Sequence, residues 1–187
     1  TYRDVAIWRA SNLTIRGVGG LAHLDAAGLT IPNGKAIWVI QGQNTAVERV
    51  EFSGARVPDR NGAGIRQEGA GLTLRGCFFH DNEDGILAGA NAASDVVIES
   101  TEFARNGYGD GQSHNLYINH VSKLVFCAAH AGRSSSSSPA PLHLEPPSTR
   151  QFRKSANEDS QPFCCATARL SRQSLSFASV TEQCVFT

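Results

Sequence analysis

The sequence predicts an all-β chain in which residues 1–127 wind into a parallel solenoid of about four to five coils, followed by an irregular tail over 128–187. Three observations carry this prediction. A short apolar strand followed by Phe, two spacers and Asn recurs 24 residues later, with Leu72 falling on Val96, Leu74 on Ile98, Cys77 on Thr101, Phe79 on Phe103 and Asn82 on Asn106. Apolar residues alternate within each copy, β-branched types are common, and the 18 Gly fall with Asn and Asp at the breaks, which is strand-and-turn chemistry. No copy sustains an apolar stripe of helical period, whereas short strands at a fixed spacing of two dozen residues suit coils that cover one another.

In chain order the first strand-like stretches are "NLTIRG" at 12–17 and "KAIWVI" at 35–40. A slightly longer copy follows, with Val47 aligned on Leu74, Val50 on Cys77 and Phe52 on Phe79, although Ala55 stands at the Asn position. The two clearest copies are "LTLRGCFFHDNEDGIL" at 72–87 and "VVIESTEFARNGYGDGQSHNLYI" at 96–118, and "SKLVF" at 122–126 begins another. Leu72, Leu74 and Phe79 are expected to stack on Val96, Ile98 and Phe103 inside, each buried side chain contributing roughly 1.5–3 kcal/mol. Asn82 over Asn106 is expected at a tight corner, where Asn tolerates a left-handed backbone and its amide bonds a neighbour. Beyond Phe126 the pattern stops. Five of the seven Pro and the run Ser134–Ser138 fall in a stretch without apolar periodicity, which reads as a disordered or loosely docked extension or as the product of a shifted reading frame. Either way the last coil is expected to expose an end through which the solenoid self-associates.

With these motifs in view, residues 12–126 resemble the right-handed parallel β-helix proteins, the superfamily of pectate lyases and related polysaccharide-active proteins. The resemblance rests on L-x-[LI]-x-x-x-x-F-x-x-N at 72–82, its partner at 96–106, and "GAGIR", "DGIL" and "HNLYI" on the next strand of successive coils. It is greatest to bacterial β-helix repeat proteins, many of which carry no assigned reaction. It implies a carbohydrate-associated role at a secreted, periplasmic or cell-surface location.

Composition excludes several other classes. Formal net charge is zero, so there is no basic surplus to track a nucleic-acid backbone. Apolar runs are far shorter than the roughly 20 residues a membrane-spanning helix needs. A chain without Met that begins at Thr1 reads as a processed, trimmed or partial product, so a secretion signal is not to be looked for in it. Five Cys is an odd number; Cys77 reads as a small buried hydrophobe, and Cys127, Cys164, Cys165 and Cys184 lack paired metal-ligand spacing, so neither a disulfide framework nor a metal site is expected.

Candidate functional residues follow from alternation. If Ile37, Ile65, Ile86 and Leu116 stack inward, then Trp38, Arg66, Leu87 and Tyr117 face outward, with Ile40, Glu68, Gly89 and Asn119 in the next outward row. A slip of one residue reverses each assignment. Trp38 and Tyr117 with Arg66 between them suit a sugar carrying a carboxylate, since rings pack on C–H faces and Arg clamps the acid; the plain alternative is that both rings only cover sheet surface. The densest polar cluster, "NGYGDGQSHNLYINH" at 106–120, contains Asp110, His114, Asn115, Tyr117 and His120 around a Gly-rich insertion. His114, Tyr117, Asp110 and Arg66 form the candidate catalytic set, and Trp38, Glu68, Asn115, Asn119 and His120 the candidate substrate-binding set. A neutral His with a nearby Tyr supplies the base and acid for removing a proton beside a uronate carboxylate, which Arg66 neutralises.

That set supports β-elimination by a polysaccharide lyase, or C5 epimerisation if the proton returns to the opposite face. The alternatives are a non-catalytic glycan-binding β-helix and a truncated, inactive remnant. "HDNEDG" at 80–85 offers His80, Asp81, Glu83 and Asp84 to a hard cation such as Ca²⁺, but lacks the spacing of a dedicated calcium loop and reads better as a solvated acidic corner.

Overall fold

The computed structural model describes residues 1–108, 113–127, 130–131 and 165–169. The first coil is β1 (Ala6–Trp8), β2 (Thr14–Arg16) and β3 (Ala22–Asp25), and the second is β4 (Ala36–Ile40), β5 (Thr45–Glu48) and β6 (Val50–Ser53). The third is β7 (Ala63–Gln67), β8 (Leu72–Arg75) and β9 (Phe78–His80). The fourth is β10 (Asp84–Ala88), β11 (Asn91–Glu99) and β12 (Glu102–Ala104), and the last is β13 (Leu116–Ile118), β14 (Val121–Cys127) and β15 (His130–Ala131). Each strand pairs in parallel with its counterpart one coil on, giving three sheets ordered β1-β4-β7-β10-β13, β2-β5-β8-β11-β14 and β3-β6-β9-β12-β15. This is a right-handed parallel β-helix of about four turns, all-β among the described residues.

The repeat alignment is the observed register: Leu72 pairs with Val96, Leu74 with Ile98 and Phe79 with Phe103, and one coil earlier Val47 pairs with Leu74 and Phe52 with Phe79. Like residues therefore stack in the interior, aliphatic on aliphatic and Phe on Phe. The rings of Phe52 and Phe79 lie 4.8 Å apart and those of Phe79 and Phe103 5.1 Å apart, each pair nearly parallel.

Corners are where the chain leaves the extended region. Asn12 and Asn44 have φ of 57° and 54°, and the next coil uses Gly71, where a Cβ would sit 2.8 Å from the Asn44 side-chain oxygen. At the third corner the left-handed residues are Asp81 and Arg105, both at φ 55°, rather than the Asn that follows each. Asn82 and Asn106 instead point inward, fully shielded. Asn106 Oδ1 accepts the Asn82 backbone N–H at 3.1 Å and its amide at 3.0 Å, while Asn106 Nδ2 donates to Phe79 O and to Asn115 Oδ1, both at 2.9 Å. The amide ladder satisfies backbone groups that a turning chain withdraws from the sheets.

Outside, the second sheet carries a cross-strand row of alternating charge, Arg16, Glu48, Arg75 and Glu99. Arg16 Nε reaches Glu48 at 2.6 Å and Arg75 Nε reaches Glu99 at 2.7 Å. Such solvent-screened pairs add little stability, but opposite charges favour this register over a slipped one.

Two further expectations are corrected. Trp38 pairs with Ile65, so it belongs to the inward row, edge-on to Phe52 with centroids 5.0 Å apart and 6% exposed. All five residues of β4 are buried, so alternation offers no cue there, and the one-residue slip also moves Ile40 inward, opposite Gln67. Second, Cys127 is disulfide-bonded. Among the described residues of the tail, β16 (Cys165–Arg169) runs antiparallel to β14 along its hydrogen-bonding edge. The rest of the tail, and with it the reading-frame question, lies outside the described residues.

Candidate functional site

The outer face of the first sheet is set by the corrected register. Val39, Arg66, Leu87 and Tyr117 lie side by side on β4, β7, β10 and β13, so Val39 takes the position expected of Trp38. Tyr117 packs against a small apolar patch of Ala36, Val39, Ala63 and Leu87. Arg66 is half-buried at the edge of a cleft of about 410 Å³ lined also by Asn33, Lys35, Asp59, Asn61 and Leu87. Its Nε is shielded from solvent and has no partner among the described residues. An unmatched buried donor costs about 1–3 kcal/mol, which a water or ligand oxygen in the cleft would recover.

Two loops frame this cleft. Asn33 Oδ1 accepts the N–H groups of Lys35 and Ala36 at 2.8 and 2.9 Å, a tight turn that presents Lys35 beside the row. Lys35 Nζ meets Glu68 at 2.5 Å and Gln41 donates to the same carboxylate at 3.0 Å; these bonds, Lys35 first, hold Glu68 below the usual carboxylate range. The other loop bears Asp59 and Asn61 and is pinned by Glu83. Glu83 Oε2 accepts Val57 N–H at 2.9 Å and Gly62 N–H at 2.7 Å, while the Tyr108 hydroxyl donates to Oε1 at 2.6 Å. Arg60 lies over the Tyr108 ring, 4.5 Å from its centre.

The family model for the right-handed β-helix region matches residues 3–134. The chain belongs to the right-handed β-helix family. Neither the curated proteins nor the solved structures contain a significant match to it.

Within this β-helix the sequence-derived candidates are distributed unevenly. His114 and Tyr117 are brought together, their rings stacked with centroids 5.8 Å apart. His114 is only 4% exposed, and its backbone N–H donates to Asp84 Oδ1 at 2.7 Å. Asn115 is buried, extending the Asn82–Asn106 ladder, and Asn119 is exposed at the end of β13 with its side chain accepting the His120 N–H at 2.7 Å. His120 is half-buried, its carbonyl bonded to Asn91 N–H at 2.6 Å. Asp110 lies outside the described residues. The acidic corner is not solvated: Glu83 and Asp84 are buried and hold backbone amides, and Asp81 is paired with Arg105.

A second polar cluster, which reasoning from the sequence missed, sits on the outer face of the third sheet. His80 Nε2 is 2.8 Å from Glu51 Oε1, and His23 Nε2 is 3.7 Å from the same oxygen and 2.7 Å from Ser53 Oγ. His80 Nδ1 lies 2.6 Å from Asp81 Oδ2, and Arg105 holds Asp81 with Nε at 2.9 Å and Nη2 at 2.7 Å. That bidentate clamp, reinforced by His80, lowers the Asp81 carboxyl to about 2. His80 was visible only as part of the "HDNEDG" motif; His23 and Glu51 have no local sequence signal.

Proposed function

We propose that this β-helix binds an acidic polysaccharide along the outer face of its first sheet. The observation that carries this reading is Arg66, set in the cleft with an unmatched Nε donor and with Lys35, Asn33 and Asn61 around it. A uronate carboxylate supplies the planar pair of acceptors a guanidinium takes, and the Tyr117 and Leu87 side chains offer apolar surface to the C–H face of a neighbouring sugar. Glu68, paired with Lys35 and hydrogen-bonded by Gln41, keeps Lys35 in place. Asn119 and His120 extend the polar surface beyond β13. Binding of this kind places the protein where such polymers are found, outside the cytoplasm.

The test is equilibrium binding of the full chain to polygalacturonate, alginate and a glycosaminoglycan, with a neutral glucan as control. Arg66→Ala should weaken binding to the acidic polymers roughly 10–100-fold, the range of a charged hydrogen bond of about 1.5–3 kcal/mol. Equal binding of neutral and acidic polymers, or an unaffected Arg66→Ala variant, would overturn the reading.

One observation favours a second reading, catalysis: His114 and Tyr117 are stacked next to the Arg66 row. In a lyase, His114 takes the C5 proton, the electron pair forms the C4–C5 double bond, the C4–O bond breaks, and Tyr117 protonates the leaving oxygen. In an epimerase the proton returns to the opposite face of C5. At 4% exposure His114 meets a substrate only if its cover opens, which is why binding is the preferred reading. Unsaturated uronate absorbance that appears with the wild type and vanishes in His114→Ala would establish the lyase; no absorbance rise and no change at C5 by NMR leaves binding alone.

A further inference from the structure

The third sheet supports an inference independent of the glycan face. His23, Glu51 and His80 come from β3, β6 and β9 of three successive coils, and their ligand atoms all lie within 4.8 Å of one another. We propose that these three side chains form a binding site for a divalent transition-metal ion of the zinc class, with a fourth position open to water.

The argument begins with His80. Arg105 fixes Asp81 as an acceptor, and Asp81 Oδ2 lies 2.6 Å from Nδ1, much nearer than Arg105 Nη2 at 3.4 Å, so we assign the ring proton to Nδ1. Nε2 then directs a lone pair at Glu51 Oε1, 2.8 Å away and itself an acceptor. Two acceptors at that distance need a cation between or beside them: a second proton on the ring, or a metal ion. A carboxylate on the far nitrogen of a ligating imidazole is the arrangement that orients histidines at metal centres, and here the carboxylate is in turn held by an arginine.

His23 completes the set. Its Nε2 faces the same Glu51 oxygen at 3.7 Å, with the Ser53 hydroxyl at 2.7 Å able to donate to it or give way. Tetrahedral ligation at about 2.0–2.1 Å sets neighbouring ligand atoms about 3.3 Å apart, so the 2.8 and 3.7 Å separations bracket the requirement and need only side-chain rotation. Two imidazoles and one carboxylate suit zinc, cobalt, nickel or copper over calcium or magnesium, which take oxygen ligands. The side chains of His23, Glu51 and His80 are 28%, 21% and 14% exposed, so an ion can enter and retain a water.

The experiment uses the full chain without a histidine tag, titrated with Co²⁺ and followed by visible absorption, then challenged with Zn²⁺. The expected result is saturation at one equivalent with the intensity of a four-coordinate nitrogen and oxygen site, and displacement by Zn²⁺. His23→Ala and Glu51→Gln should each weaken Co²⁺ binding at least about 100-fold, and Asp81→Asn about 10–100-fold, the range for an outer partner of a ligand. His23 lies at the solvent side of β3, so His23→Ala serves where a His80 variant fails to fold. No saturable binding, or binding unchanged in His23→Ala and Glu51→Gln, would overturn the proposal. So would a thiolate charge-transfer band, which assigns the metal to cysteines.

Discussion

Replacing Asn106 by Ala should remove more stability than any exposed substitution, because the Asn106 amide serves four groups at once. Oδ1 accepts the Asn82 N–H and the Asn82 side-chain amide, and Nδ2 donates to the Phe79 carbonyl and to Asn115 Oδ1. Asn82 keeps its own bonds to Phe52 O and Ala55 N, each 3.0 Å, so the side chain there stays anchored. The loss falls on the Asn82 N–H and the Phe79 carbonyl, two backbone groups in a site with no solvent. At about 1–3 kcal/mol for each stranded group, the total is about 2–6 kcal/mol. Urea unfolding followed by circular dichroism, with the disulfide intact, should show the midpoint falling by more than about 1 M at unchanged slope. Asn44→Gly is the comparison. It keeps the left-handed backbone at φ 54° and loses one exposed bond to Asn12, so its midpoint should scarcely move. If Asn106→Ala costs less than about 1 kcal/mol, the amide ladder is not what closes this corner.

Three further outcomes follow from the same structure. Phe79→Ala opens a gap between Phe52 and Phe103, 4.8 and 5.1 Å from Phe79, and should cost about 3–5 kcal/mol by the same unfolding assay, with Phe79→Leu costing less. Gly85→Ala would set a Cβ 2.2 Å from the Asn115 carbonyl, backbone that cannot give way cheaply, so the variant should lose stability and increase hydrogen exchange of the β10 and β13 amides. Burial raises the Cys77 thiol from 9.0 to about 11, so the folded chain binds the proton more tightly than the unfolded one. Its contribution is fully present below pH 9 and falls as pH rises to about 11, by about 2–3 kcal/mol, a slope that Cys77→Ala should remove; alkylation of Cys77 at neutral pH should require unfolding.

Much of the interior was legible because a solenoid writes its core twice. Phe79 and Phe103 stand 24 residues apart and really do pair, since the third and fourth coils have equal lengths on that sheet. Legibility fails where one of two conditions is missing. In β4, "AIWVI" has no polar residue to mark a face, so nothing in the sequence distinguishes Ile37 over Ile65 from Trp38 over Ile65; the backbone pairing decides. Glu83 and Asp84 stand in a run of acids that reads as solvated, yet the corner turns the Val57, Gly62 and His114 amides onto them, and burial follows from those bonds. His23, Glu51 and His80 are invisible for a different reason. They lie on separate coils, with Glu51 opposite His23 and His80 opposite Ser53, so their proximity exists only once both the coil lengths and the register are known.

The three outer faces differ in whether their polar groups satisfy one another, and the proposed sites follow that difference. On the second sheet Arg16, Glu48, Arg75 and Glu99 form a closed series: each cation meets a carboxylate, and Arg75 bridges two of them, its pKa raised by Glu99 first and Glu48 after. Nothing there calls for a ligand. On the first sheet Arg66 Nε is matched by no described residue, and on the third His80 Nε2 and Glu51 Oε1 lie 2.8 Å apart, two acceptors in the tautomer assigned above. An interior of stacked, repeated side chains leaves the outer rows free to vary without loss of the fold. On the two proposals made above, the rows that carry unmet donors or surplus acceptors are the ones that would take partners from outside the chain, an anion on the first sheet and a cation on the third.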